Sequence, residues 1–112
     1  MINTEKRIFI SGKIGTFYYS QISDECKDKF NKAQYKDLFE YKNVYNPITM
    51  AYDMEFYFGD NLKKLKSNIE YINQKELEKC DAVYMLKGWQ DSEVATKEHE
   101  FAKKLKKEII YQ

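Results

Sequence analysis

The order of apolar and polar positions divides the chain into short segments that alternate between strand and helix character. Arg7-Ile8-Phe9-Ile10 is an apolar, β-rich run stopped by Ser11-Gly12, the pattern of a buried strand. Ser23-Asp24-Glu25 opens a helix with carboxylates where the macrodipole favours them, and Ile22, Cys26, Phe30, Ala33 and Leu38 approximate its apolar stripe. Asn43-Val44-Tyr45-Asn46-Pro47 reads as a second short strand, ended by a proline that cannot continue a central ladder. Residues 48–60 are aromatic and irregular and read as loop. Leu62, Leu65, Ile69, Ile72, Leu77 and Cys80 follow a helical period, with a break expected near Asn68. Ala82-Val83-Tyr84-Met85-Leu86 is the clearest strand, with Val83 and Met85 on one face and Tyr84 and Leu86 on the other. Asp91-Ser92 precedes a last helix, and Ile109-Ile110-Tyr111 closes the chain as a strand.

The order β-α-β-α-β-α-β implies parallel strands, because each crossover helix returns the chain to the same end of the sheet. Right-handed crossovers place helices on both faces. The expectation is an α/β, small Rossmann-like (flavodoxin-like) three-layer sandwich with a four- to five-stranded parallel sheet, one domain over residues 1–112. Ligands of such sheets bind outside the carboxyl ends of the strands. Three loops leave those ends: Ser11 to Thr16, Asn46 to Met50 and Lys87 to Ser92.

Composition narrows the function classes. Hydrophobic residues make up 43% of the 112, enough for one core. Lysine and arginine number 19 against 18 acidic residues, a balance that argues against a dedicated nucleic-acid-binding face. Apolar runs are too short for a membrane span, and Met1 to Arg7 shows no signal-peptide core, so the expected location is the cytoplasm. Cys26 and Cys80, far apart, make neither a disulfide framework nor a zinc site, and both read as buried, reduced thiols on helical stripes. With one histidine, no metal site is expected, and no organic cofactor is implied. Ten tyrosines, seven phenylalanines and a tryptophan serve cores, interfaces or stacking on bases equally well.

Three places carry candidate chemistry. Ser11-Gly12-Lys13-Ile14-Gly15-Thr16 has glycines for a tight turn, but neither the P-loop ending nor a dinucleotide fingerprint, so by spacing it is a strand-to-helix turn first. In the last helix Val94, Ala95, Phe101, Ala102 and Leu105 mark the apolar face, and Glu98 falls inside that stripe, four residues from Val94 and four from Ala102. A carboxylate there is aimed at the sheet, where desolvation or a partner must act on it; a stripe-edge glutamate reaching water fits the pattern as well. Ser92 is a natural cap at a helix N-terminus, which is also where anions bind, and it stands less than two turns from Glu98. Trp89 either packs on that helix or walls a base-sized pocket. His99 points about 100° away from Glu98 and is not paired with it. The lysine-rich stretches 62–66 and 103–107 read as solvated faces.

Taken together, Ile8-Phe9-Ile10-Ser11-Gly12-Lys13-Ile14, Asn46-Pro47, Cys80-Asp81-Ala82-Val83-Tyr84-Met85-Leu86-Lys87-Gly88-Trp89 and Ser92-x-x-Ala95-x-x-Glu98 resemble the small DUF4406 proteins, often encoded by phages and bacteria. Through them the chain resembles the nucleoside 2-deoxyribosyltransferase superfamily, over about residues 7 to 111. The resemblance implies cleavage or exchange of the N-glycosidic bond of a nucleoside or 5′-nucleotide, with Glu98 as nucleophile or key carboxylate at the anomeric carbon. It places Ser11, Gly12 and Lys13 on the sugar or 5′-phosphate, Ser92 at the sugar or phosphate end, Trp89 on the pocket wall and Asn73 at the base. This sequence departs from the pattern in having Phe9 where many relatives have tyrosine, Val94 for glycine and Asn73 for aspartate. An amide binds a base but cannot act as a general acid, so a non-catalytic nucleotide- or nucleotide-signal-binding protein of the same fold is the alternative, and a Tyr-rich interaction protein a third. Relatives often complete each other's sites, so a homo-oligomer is expected, with the aromatic residues between 52 and 58 as interface material.

Overall fold

Ile8, Phe9 and Ile10 are all fully buried, which an unbroken apolar run permits only in a strand covered on both faces. The computed structural model describes residues 4–112; Met1, Ile2 and Asn3, part of the N-terminus read above for a leader, lie outside it. Strand β1 (Arg7–Ser11) is followed by α1 (Asp24–Lys32), β2 (Asn43–Tyr45), α2 (Pro47–Phe58), α3 (Leu62–Lys79), β3 (Ala82–Met85), α4 (Glu93–Lys104) and β4 (Glu108–Tyr111). The four strands form one parallel sheet in the order β2-β1-β3-β4, as the alternating pattern requires.

Pleating sorts the side chains into two cores. Ile8, Ile10, Tyr84 and Leu86 pack with Phe30 and Ala33 at α1 and with Ile48 and Ala51 of α2. Phe9, Val83 and Met85 face the other way, onto Leu77 and Cys80 at α3 and Ala95 and Ala102 of α4. Val83 and Met85 thus oppose Tyr84 and Leu86, as period-two alternation demands. The sheet lies between two helical layers, a Rossmann-like three-layer arrangement.

Four expectations are corrected. Residues 48–60 are largely helix, not loop: Asn46 Oδ1 accepts a hydrogen bond from the Ile48 amide at 3.0 Å, and Pro47 occupies the first helical position, where its missing N–H costs nothing. Pro47 therefore starts α2 rather than ending β2, and the β2–β3 crossover carries two helices. α3 runs unbroken through Asn68, whose side-chain amide donates to the Lys64 carbonyl at 2.8 Å, a bond along the helix rather than across it. Cys80 is buried at the end of α3, whereas Cys26 is only half-buried, its thiol donating to the Lys13 carbonyl at 3.5 Å. Val94 and Leu105 do not belong to the buried face of α4; Val94 keeps 53% of its surface exposed. No helix among the described residues is long and apolar enough to cross a membrane.

Candidate functional site

The site forms where the strand order turns. From β1 the chain steps to β2 on one side and later to β3 on the other, which leaves a crevice beyond the carboxyl ends of β1 and β3. Ser11 closes β1, and its carbonyl accepts from the Leu86 amide at 2.9 Å, so the two strand ends lie against each other. Gly12 permits this: a Cβ there would stand 2.8 Å from Leu86 Cδ1. Gly15 is needed for a different reason, its φ of +87°.

Glu98 enters the crevice from α4. Ser11 Oγ, itself buried, donates to Glu98 Oε1 at 2.8 Å. Loss of water around the carboxyl pushes its pKa up to about 7, against the opposing pull of the Ser11 hydrogen bond. Glu98 Oε2 has no partner among the described residues. Among the described residues, one oxygen is anchored and the other has no partner.

Around this carboxyl is a cavity of about 310 Å³, walled by the loop after β1, the start of α2, Ile69 and Asn73 of α3, and Asp91 to Val94 at the start of α4. A second cleft of about 410 Å³ adjoins it and shares Phe17, Asn73, Val94 and Glu98 with it. The three loops singled out by the sheet pattern all contribute to the first cavity. Ser92 caps α4, its Oγ accepting from the Ala95 amide at 3.1 Å. Beyond that cap, Glu93 and Val94 carry the first amides of the helix, which have no intrahelical acceptor, and both residues line the cavity. Lys13 is the basic residue of this wall, and Asp91 and Glu93 are acidic residues of the same wall; Glu93 is paired with Lys97 at 3.1 Å.

Of the residues singled out from sequence, Gly12, Lys13, Asn73, Ser92 and Glu98 meet at this cavity. Ser11 reaches it through Glu98. Trp89 does not line it: its indole stacks on His99 of α4, with ring centroids 4.2 Å apart, and His99 Nε2 is hydrogen-bonded to the Tyr111 hydroxyl at 2.7 Å. That stack buttresses α4 and takes His99 away from Glu98.

Sequence reasoning missed Phe17, Ala51 and Tyr45. Ala51 was hidden by reading α2 as loop, although Asn46-Pro47 is itself a cap-and-first-turn signal. Phe17 lies in an irregular segment with no periodicity to place it. Tyr45 acts through a contact 28 residues away in sequence, donating from its hydroxyl to Asn73 Oδ1 at 2.6 Å.

No group of three or more His, Cys, Asp or Glu among the described residues is placed to hold a metal ion. The Cys80 thiol, pushed up to about 12 by burial, is not a nucleophile at neutral pH. The chemistry the cleft supports is that of one desolvated carboxylate beside a neutral amide and a helix N-terminus.

Compared with known proteins, residues 6–111 match the model of a domain of unknown function, DUF4406. No curated protein and no solved structure matches the chain.

Proposed function

The chain belongs to the DUF4406 family, and from that premise we propose that the crevice around Glu98 cleaves or exchanges the N-glycosidic bond of a nucleoside or 5′-nucleotide. The observation that carries the proposal is the anchored and desolvated carboxyl of Glu98 at the strand-order switch point. Its resemblance to the nucleoside 2-deoxyribosyltransferase superfamily supports the same reading.

The chemistry is that of a retaining glycosidic displacement. Glu98 Oε2 attacks the anomeric carbon while the bond to the base breaks, and the electron pair leaves with the base, which takes a proton from water. Ser11 holds the other oxygen, so the attacking atom has a fixed position. Water or an acceptor base then attacks the anomeric carbon, gives up a proton and releases Glu98. Lys13 and the α4 N-terminus with Ser92 are assigned to the sugar or 5′-phosphate end, and Asn73 to the base. The cavity falls at the small end of the range for small-molecule sites. The working form in this reading is a homo-oligomer.

A second reading is a binding module without turnover. It is favoured by Phe9, buried and without a hydroxyl, and by Asn73, whose amide cannot protonate a leaving base.

The test is a mass-spectrometric panel of nucleosides and 5′-mononucleotides, with and without an acceptor base, run on wild type and Glu98→Gln. Free base from wild type, reduced about a thousandfold or more in Glu98→Gln, supports the enzyme. Product only with an acceptor makes it a transferase. Stoichiometric retention of ligand without product selects the binding module. Neither product nor retention removes both readings.

A further inference from the structure

Asn73 lines both clefts, and its carbonyl oxygen is already taken. The 2.6 Å between Tyr45 Oη and Asn73 Oδ1 lies within the range of O–H···O bonds and below the roughly 2.7–3.2 Å of N–H···O bonds. The hydroxyl therefore donates, and the amide oxygen accepts. Tyr45 is held in place in turn: its ring stacks on Phe9, centroids 5.2 Å apart at 23°, and the two residues are register partners across β1 and β2. Burial and the nearby carboxylates of Glu76 and Glu98 keep the phenol protonated. Asn73 Nδ2 has no partner among the described residues, yet no buried side-chain nitrogen or oxygen there lacks one. Nδ2 thus keeps solvent access, on a half-buried residue that walls both clefts.

We propose that Tyr45 is a positioning residue that fixes the Asn73 amide with its N–H groups toward the cleft, so that the site selects a nucleoside presenting a hydrogen-bond acceptor there over one presenting an amino group. This rests on the nucleoside reading of the cleft and adds the polarity of the group it recognises. An untethered amide turns over to offer either a donor or an acceptor; one held by Tyr45 offers only donors. An amino group set against those donors leaves both unpaired in a partly desolvated site, a mismatch worth about tenfold in affinity or more.

Two ligand pairs test it: 2′-deoxyuridine against 2′-deoxycytidine, and 2′-deoxyinosine against 2′-deoxyadenosine, each pair exchanging an oxo group beside a ring N–H for an amino group beside a bare ring nitrogen. Affinities are measured by calorimetry for wild type, Tyr45→Phe and Asn73→Asp, with thermal melts to establish folding. Wild type is expected to favour the oxo member of at least one pair about tenfold or more. Tyr45→Phe, with the amide free to turn, brings that preference to within about twofold, while Asn73→Asp, which offers only acceptors, reverses it. Asn73→Asp asks the question without disturbing the packed ring, so a poorly folding Tyr45→Phe does not spare the proposal. Nucleosides bound with no oxo preference, or with a preference that survives both substitutions, overturn this inference alone. Binding of none of the four, nor of their 5′-monophosphates, overturns the nucleoside or nucleotide reading of the cleft, and this inference with it.

Discussion

Glu98 shows how one side chain can be half legible. Its place in the apolar stripe of α4 follows from a 3.6-residue period, but its partner, Ser11, is 87 residues away and follows from nothing local. The consequence for stability has a definite sign. Below about pH 4.5, where a free glutamate titrates, folded and unfolded chains both carry the proton. Between there and about pH 7 the unfolded chain loses it and the folded chain keeps it, so stability falls as pH rises and levels off above about 7. The contribution is on the order of 3 kcal/mol at most. Urea melts at pH 5 and pH 8 should show this loss in wild type, and Glu98→Gln should lack it and gain stability relative to wild type at pH 8. An identical pH response in the two proteins would mean that Glu98 is not desolvated. In the proposed displacement the same carboxyl must be ionised to attack, so kcat/KM for that reaction should rise through about pH 7. Trp89 is the residue whose place the pattern leaves open between packing and a pocket wall, and its indole stacks on His99.

At the scale of elements, strands were more legible than the helix between β2 and α3. β1 and β3 are short continuous apolar runs, and only burial on both faces accounts for such runs in a four- or five-residue strand. α2 escaped because its apolar and aromatic residues lie all round the helix and leave no stripe to detect. Its N-terminus was the better signal: Asn46 also donates from Nδ2 to Asn31 Oδ1 and Gln34 Oε1, tying the helix start to the end of α1 and the turn that follows it. β3 gives the element-scale prediction. Val83→Ala and Leu86→Ala each remove methyl groups from buried positions on opposite faces of the sheet and should cost about 2–4 kcal/mol in denaturant unfolding. Near-neutral results at both positions would place this strand outside the core.

Over the whole molecule, the sheet order decides where chemistry is possible. Three loops from three strands meet at one crevice only because β2 and β3 flank β1 on opposite sides. The surface has a second feature at this scale. Tyr52, Phe56 and Tyr57 stand out from α2, with Phe56 83% exposed, on the helix whose Pro47 and Ala51 wall the cavity. Apolar aromatics left in water beside a site are the usual material of an interface. Gel filtration with light scattering should give a mass above that of one chain, and Phe56→Ser with Tyr57→Ser should lower it toward the monomer. A wild-type protein that is monomeric at high concentration would rule out the homo-oligomer.

Local period and composition, by themselves, determined the strands, three of the four α-helices of the described residues, the parallel sheet and the set of loops at its carboxyl end, because each of these follows from which face of an element must leave water. They also marked Glu98 as a carboxylate on the wrong side of a helix. Only the tertiary structure decided that Ser11 anchors it, that Tyr45 donates to Asn73, that Gly12 is there for the approach of Leu86, and that Trp89 packs on His99. Those are contacts between residues far apart in the chain, set by strand order and register. No local pattern encodes them, because the period of a helix or a strand says which way a side chain points and not what waits there.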